Sequence, residues 1–359
     1  MDGLRRAGIL ALAILVTGSG SPIRAAAVDP VTIHVFHRDP IRFEADDSTR
    51  VEATGPVRAF DRGREIERTV AIPGFDVPMR VIARVTTRPV PQGAATVHDK
   101  WDRAGNVRLV VPDAAGAADA EIVKFVTAYG GETTHEIDLT HLAPLLRGEC
   151  TIRGFVDTWV TPAWLMDFSL TFEPWDAAVP PEWMREWITE EDLGPPTWAR
   201  PLFYETITAE TMAAGGPVAR VEVPPGLARA TLYYLVSGHC TDGRDADEFV
   251  TKDNVLFVDG REVHRFRPWR DDCGRFRDVN PHCRRWFDGS WSADFSRSGW
   301  CPGDVVAPVP IDVTAALPAG AHEIALGIEG IRPKDDSGHG YWRVSAMLAG
   351  WNGGPPAPE

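Results

Sequence analysis

The chain has 359 residues, 44% hydrophobic and 25% charged, a length that suits two domains better than one core. Its formal charge of −14 excludes the basic footprint of a nucleic-acid binder and favours solubility.

In chain order, Arg5 and Arg6 precede the apolar run Ala7 to Thr17, and Arg24-Ala-Ala-Ala27 offers small residues for cleavage. This pattern predicts a secretory signal over residues 1–27, with no stretch after it long enough to span a bilayer. Residues 1–26 carry Arg5, Arg6 and Arg24 against Asp2, a net +2, so the processed chain would stand at about −16. The expected product is secreted or periplasmic, with no membrane attachment once cut.

Short runs rich in β-branched and aromatic residues follow. They are Val31–Phe36, Val81–Val85, Val107–Val111, Glu121–Val126 and Ser169–Phe172, then Val218–Val223, Thr231–Val236, Val255–Val258, Val309–Val313 and Glu323–Ile328. Gly, Pro and Asp punctuate them at sandwich-like spacing, with no alternating βα units. One helical turn is expected at Leu142–Leu146. Residues 175–199 are rich in Pro, Trp and acid without alternation, and predict a linker with a short helix at Glu182–Thr189. The expected organisation is an all-β chain of two antiparallel jelly-roll β-sandwiches. The first spans 28–174 and the second 200–352, followed by a disordered tail at 353–359. No Asn-x-Ser/Thr acceptor occurs.

Five cysteines, Cys150, Cys240, Cys273, Cys283 and Cys301, suit an exported chain with two disulfides and one thiol left over. Without a CxxC pair a structural zinc site is not expected.

Three acidic contexts stand out. His98-Asp-Lys-Trp101-Asp102-Arg103 leads into an apolar run; by strand alternation Trp101 and Arg103 would share one face and Asp102 the other. Phe155-Val-Asp157-Thr-Trp159 places an acid two residues from a Trp, on one face if extended. Asp245-Ala-Asp247-Glu248-Phe249 sets acids just before another strand. Each acid alone is equally a solvated strand-end charge. Together, carboxylates supply a water-activating base and a partner acid, and indole faces stack against sugars. Arg297 precedes Ser-Gly-Trp300-Cys301-Pro-Gly303, where a guanidinium fork could meet a carboxylate or a substrate carbonyl.

Four blocks resemble the peptide-N-glycosidase F family, bacterial amidases that release N-linked glycans from asparagine. They are Trp101-Asp-Arg-Ala-Gly-Asn-Val107, Glu136-Ile-Asp-Leu-Thr140 with Leu145-Leu-Arg-Gly148, Asp157-Thr-Trp159, and Arg297-Ser-Gly-Trp-Cys-Pro-Gly303. The resemblance implies two jelly rolls side by side, no metal and no cofactor. The substrates it implies are N-glycosylated proteins or peptides, met by a monomer. It makes Asp102 the principal catalytic acid, with Glu248 and Asp157 serving the same cleft. Trp101, Arg103, Trp159 and Arg297 would bind substrate. Cys273 and Cys301 match a family disulfide, and Cys240 with Cys283 is a possible second pair whose connectivity spacing does not decide.

Departures are visible. Asp157 stands where the family has glutamate, one methylene longer, and His239 replaces a family tryptophan after Ser237-Gly238. The cysteine pairs before the Trp-Asp-Arg motif and around the glutamate are missing. Two other functions compete: a catalytically silent N-glycan-binding protein of the same fold, and a copper-dependent monooxygenase-like protein. The second needs imidazole clusters, yet no His-x-His occurs, and His34 and His37 would fall on opposite strand faces.

Overall fold

The computed structural model describes residues 29–44, 52–111, 118–175, 194–240 and 246–352. The expected signal, the helix at Glu182–Thr189 and the tail lie outside these residues.

Among the described residues, ten strands build the first half: β1 (Val31–Ile41), β2 (Glu52–Thr54), β3 (Val57–Phe60), β4 (Glu65–Ile72), β5 (Met79–Pro89), β6 (Ala104–Leu109), β7 (Ala120–Val126), β8 (Thr133–Asp138), β9 (Gly148–Val156) and β10 (Trp164–Pro174). They form two antiparallel sheets, β1-β10-β5-β8 and β2-β3-β4-β9-β6-β7. Alternation supplies the core: β10 buries Trp164, Met166, Phe168, Leu170 and Phe172 on one face. Each such side chain stabilises by about 1.5–3 kcal/mol. The helical turn expected at Leu142–Leu146 is a 3-10 segment at Thr140–Leu145.

In β1 the simple alternation fails. Register shifts between His34 and Phe36, and between Phe36 and Asp39, leave Val35 and Phe36 both buried and His34 and His37 both exposed.

Among the described residues, eight strands build the second half: β11 (Trp198–Ile207), β12 (Val218–Val223), β13 (Leu227–Cys240), β14 (Asn254–Val258), β15 (Arg261–Phe266), β16 (Val309–Asp312), β17 (Gly320–Ile328) and β18 (Gly340–Asn352). Their antiparallel sheets are β11-β18-β13-β16 and β12-β17-β14-β15. Trp342, Val344, Ala346 and Leu348 of β18 enter the core between them.

The alternate residues of β18 face the first half. Met347 joins the first core, the Ser345 hydroxyl donates to Glu121, and Arg343 reaches Asp157. Opposite lies β7, buried on both faces. A register shift between the Val107 and Arg108 pairings turns Glu121 and Lys124 the same way, 3.2 Å apart, and Lys124 Nζ donates to the Arg343 carbonyl. Residues 303–306 run along β7: Gly303 N donates to Val126 O at 3.0 Å and Val306 N to Lys124 O at 2.8 Å. The halves are joined by backbone as well as side chains.

Candidate active site

β6 and β9 are neighbours, with Gly105 opposite Val156, so the residues before β6 and those after β9 emerge together. The Asp157 amide donates to the Ala104 carbonyl at 2.9 Å, setting Asp157 beside Asp102 and Arg103. Glycine at 105 suits this crowded position, since a Cβ there would sit 2.9 Å from the Phe155 carbonyl of β9 and 2.3 Å from the Phe125 ring of β7.

Trp101–Arg103 precede β6 rather than belonging to it, so strand alternation does not govern them. All three line one cavity of about 440 Å³ together with Asp157, Trp159 and Glu248. The turn is pinned from beneath by Asp99, which is fully buried. Its carboxylate accepts from Arg103 Nε at 2.9 Å, Thr158 Oγ1 at 2.6 Å and Trp164 Nε1 at 3.2 Å. Arg103 therefore reaches the cavity with its guanidinium already held by Asp99.

Glu248 arrives from the second half. Asp247, at φ +65°, accepts from Trp342 Nε1 at 2.8 Å and from the Arg332 amide at 3.0 Å. That anchor turns the next residue into the cleft, where Ser298 N donates to the Glu248 carbonyl at 2.8 Å.

Arg297 joins the two carboxylates. Its Nη2 lies 3.8 Å from Asp102 Oδ2 and its Nε 3.3 Å from Glu248 Oε1. The side chain is 1% exposed, donates to the Phe295 and Ser292 carbonyls at 2.8 Å each, and lies over the Trp300 ring. Its nitrogens contact protein oxygens, and the side chain also lines a neighbouring cavity.

Burial raises the Asp102 carboxyl above its ordinary value, against the pull of Arg297 and a hydrogen bond donated by Tyr129. Glu248 is pushed up to about 7 by burial and by the neighbouring charge of Asp102. Tyr129 is raised by burial and by Asp102, so its hydroxyl stays a donor. Two acids sharing one cation in a cleft retain a proton near neutrality.

Asp157 is held otherwise. Arg64 Nη1 donates to Oδ1 at 3.2 Å and Arg343 Nη2 to Oδ2 at 2.6 Å. Trp101 and Trp159 stand at the rim, 62% and 55% exposed, with the Arg64 guanidinium 4.9 Å from the Trp159 ring. Exposed indoles beside a polar cleft suit the apolar face of a sugar.

Residues 205–349 match the family model described as Peptide-N-glycosidase F, C terminal. That part of the chain is similar to the C-terminal part of peptide-N-glycosidase F. The fold of the whole chain is similar to solved structures of such enzymes. Against PNGF-II the TM-score is 0.72 at 23% identity, covering 92% of this chain and 66% of that one. Against PNGase F, a glycosylasparaginase from Flavobacterium meningosepticum, it is 0.65 at 17% identity, covering 92% and 99%. The chain thus spans about two thirds of the length of PNGF-II and nearly all of PNGase F. At these identities the likeness is one of fold. No curated protein sequence matches the chain.

Against the family pattern, the cysteines divide. Cys273 and Cys301 form a disulfide. Cys240 and Cys283 do not pair: Cys240 ends β13 with its thiol 3.6 Å from Glu248 Oε2, whereas Cys283 packs with Tyr129 and Ala293. Cys150 is buried with a free thiol. His239, in place of the family tryptophan, stacks between Trp300 and Tyr341 at 5.2 Å each and is kept neutral by burial.

The sequence reading missed Arg64, Asp99, Arg343 and Tyr341 as parts of the site, and gave Tyr129 no role.

Proposed function

We propose that this chain is an exported amidase that cleaves N-linked glycans from asparagine in glycoproteins or glycopeptides, acting as a monomer. One observation carries the reading: Arg297 bridges Asp102 from one half and Glu248 from the other in a single cleft rimmed by Trp101 and Trp159. The match of residues 205–349 to the Peptide-N-glycosidase F, C terminal model supports the same reaction class.

In this reading Asp102 is the base. It takes a proton from water as the water oxygen bonds to the asparagine side-chain carbonyl carbon. Glu248, protonated near neutral pH, gives its proton to the departing nitrogen as the carbon–nitrogen bond breaks. The products are aspartate and a glycosylamine. Arg297 fixes the spacing of the two acids and limits the charge they share, and Tyr129 steadies Asp102. Asp157, oriented by Arg64 and Arg343, accepts from a sugar hydroxyl or amide, while the rim indoles stack on the ring. No metal enters these steps.

Incubating the purified chain with a denatured N-glycoprotein tests the proposal. Loss of glycan mass with conversion of the acceptor Asn to Asp is expected; intact glycoprotein under all conditions would overturn it. A silent glycan binder would retain glycopeptide without that conversion.

A further inference from the structure

A second and larger cavity, about 1250 Å³, adjoins the catalytic one and shares Trp101 and Tyr129 with it. Its wall is a file of aromatic rings leading away from the carboxylates. Phe249 follows Glu248 directly and packs edge-on against Phe295 at 6.1 Å; Trp286 lies 6.4 Å beyond, and Phe287 projects past it, fully exposed. The Arg297 guanidinium that bridges the two acids lies 5.1 Å from the Phe249 ring, so file and catalytic centre meet at one side chain.

The tip is built, not frayed. Trp286 N donates to Ser290 O at 2.8 Å, Gly289 N to Trp286 O at 3.0 Å, and Ser292 N to Arg284 O at 2.8 Å. The Arg284 guanidinium lies 4.1 Å from the Trp286 ring. A fully exposed phenylalanine on a hydrogen-bonded turn has little use in folding, since burial is what stabilises it. It is preorganised for something that comes to it.

A glycosylated asparagine is a branch point, with sugar on one side and polypeptide on the other. A cleft that cuts at the branch must open in two directions. The polar cavity with Asp157 and Trp159 suits the sugar, and the adjoining aromatic groove suits the polypeptide.

We propose that this groove binds the polypeptide arm, in extended form, and selects segments whose residues flanking the glycosylated asparagine are bulky and apolar. This rests on the amidase reading for its glycan side. Each apolar side chain seated there leaves water, so the selection shows as a ratio of kcat/KM between substrates.

Two glycopeptides carrying the same glycan, one with Phe and Leu flanks and one with Gly and Ser flanks, are cleaved by wild type and by Phe287→Ser. The apolar-to-polar ratio of kcat/KM is expected to fall about tenfold in the variant. An unchanged ratio overturns the proposal, including the case where both substrates slow equally because the groove takes outer sugars. Trp286→Ala should lower the ratio again. Independently, the apolar-flanked peptide without sugar is titrated against intrinsic tryptophan fluorescence. Wild type should bind it about tenfold more tightly than Phe287→Ser does, and no binding by wild type overturns the groove. Peptide binding lost in Phe287→Ser, with neither protein cleaving any glycopeptide, would sustain the groove and remove the amidase reading.

Discussion

Among single residues, Asp102, Glu248 and Arg297 form a charge-sharing set whose members fail in different ways. Asp102→Asn keeps size and hydrogen bonding but removes the base, so turnover should drop by about 10²–10⁴ while the melting temperature stays near wild type. Glu248 has an ordinary value of 4.5 and stands near 7 when folded. The folded state therefore holds its proton more tightly than the unfolded chain does. That stabilisation is full below about pH 4.5 and is lost as pH rises through about 7. Melting curves from pH 5 to 8 should show wild type losing more stability than Glu248→Gln. The kcat/KM profile of wild type should fall on the alkaline side near pH 7 as Glu248 loses its proton. Arg297→Met leaves two buried carboxylates without their cation and should cost about 3–5 kcal/mol in denaturant unfolding. Asp102 and Asp157 stood out in the sequence because each lies within two residues of a tryptophan in a recognisable block, and Glu248 because acids cluster there just before a strand-like run. Asp99, Arg64 and Arg343 were not, because their roles depend on partners across sheets. Asp99 to Trp164 spans 65 residues and Asp157 to Arg343 spans 186.

Strands and loops sort by the same rule. Strands with clean alternation and β-branched residues, such as β5, β12 and β17, could be read directly. β18 escaped notice because Gly, Ser and Ala fill much of it, yet it is the central strand between β11 and β13. Small residues fit there because both faces are covered, one by its own core and one by the first half. The bulges in β1 and β7 were equally unreadable, since an inserted residue changes parity without changing composition. Among the loops, the Cys273–Cys301 bridge, 28 residues apart in sequence, fastens the segment that hydrogen-bonds along β7. Cys273→Ser with Cys301→Ser should lower stability by about 3 kcal/mol in thermal unfolding. Because Arg297 lies four residues before Cys301, activity should fall at temperatures where the fold still stands.

Across the whole molecule, the two-sandwich architecture was legible from spacing and turn residues, whereas the contact between the sandwiches was not. Met347 in the first core and the Glu121, Lys124, Ser345 and Arg343 contacts tie unfolding of one half to the other. A single calorimetric transition is expected, and Lys124→Met with Glu121→Gln should separate it into two. The division of the proposed catalytic acids between the halves carries a further consequence. Neither fragment, 29–175 or 194–352, holds both Asp102 and Glu248, so each made alone should be inert toward glycopeptide. Mixed together, they should regain turnover in proportion to the fraction associated. Catalysis would then serve as its own binding isotherm, reporting in solution how strongly one sandwich holds the other.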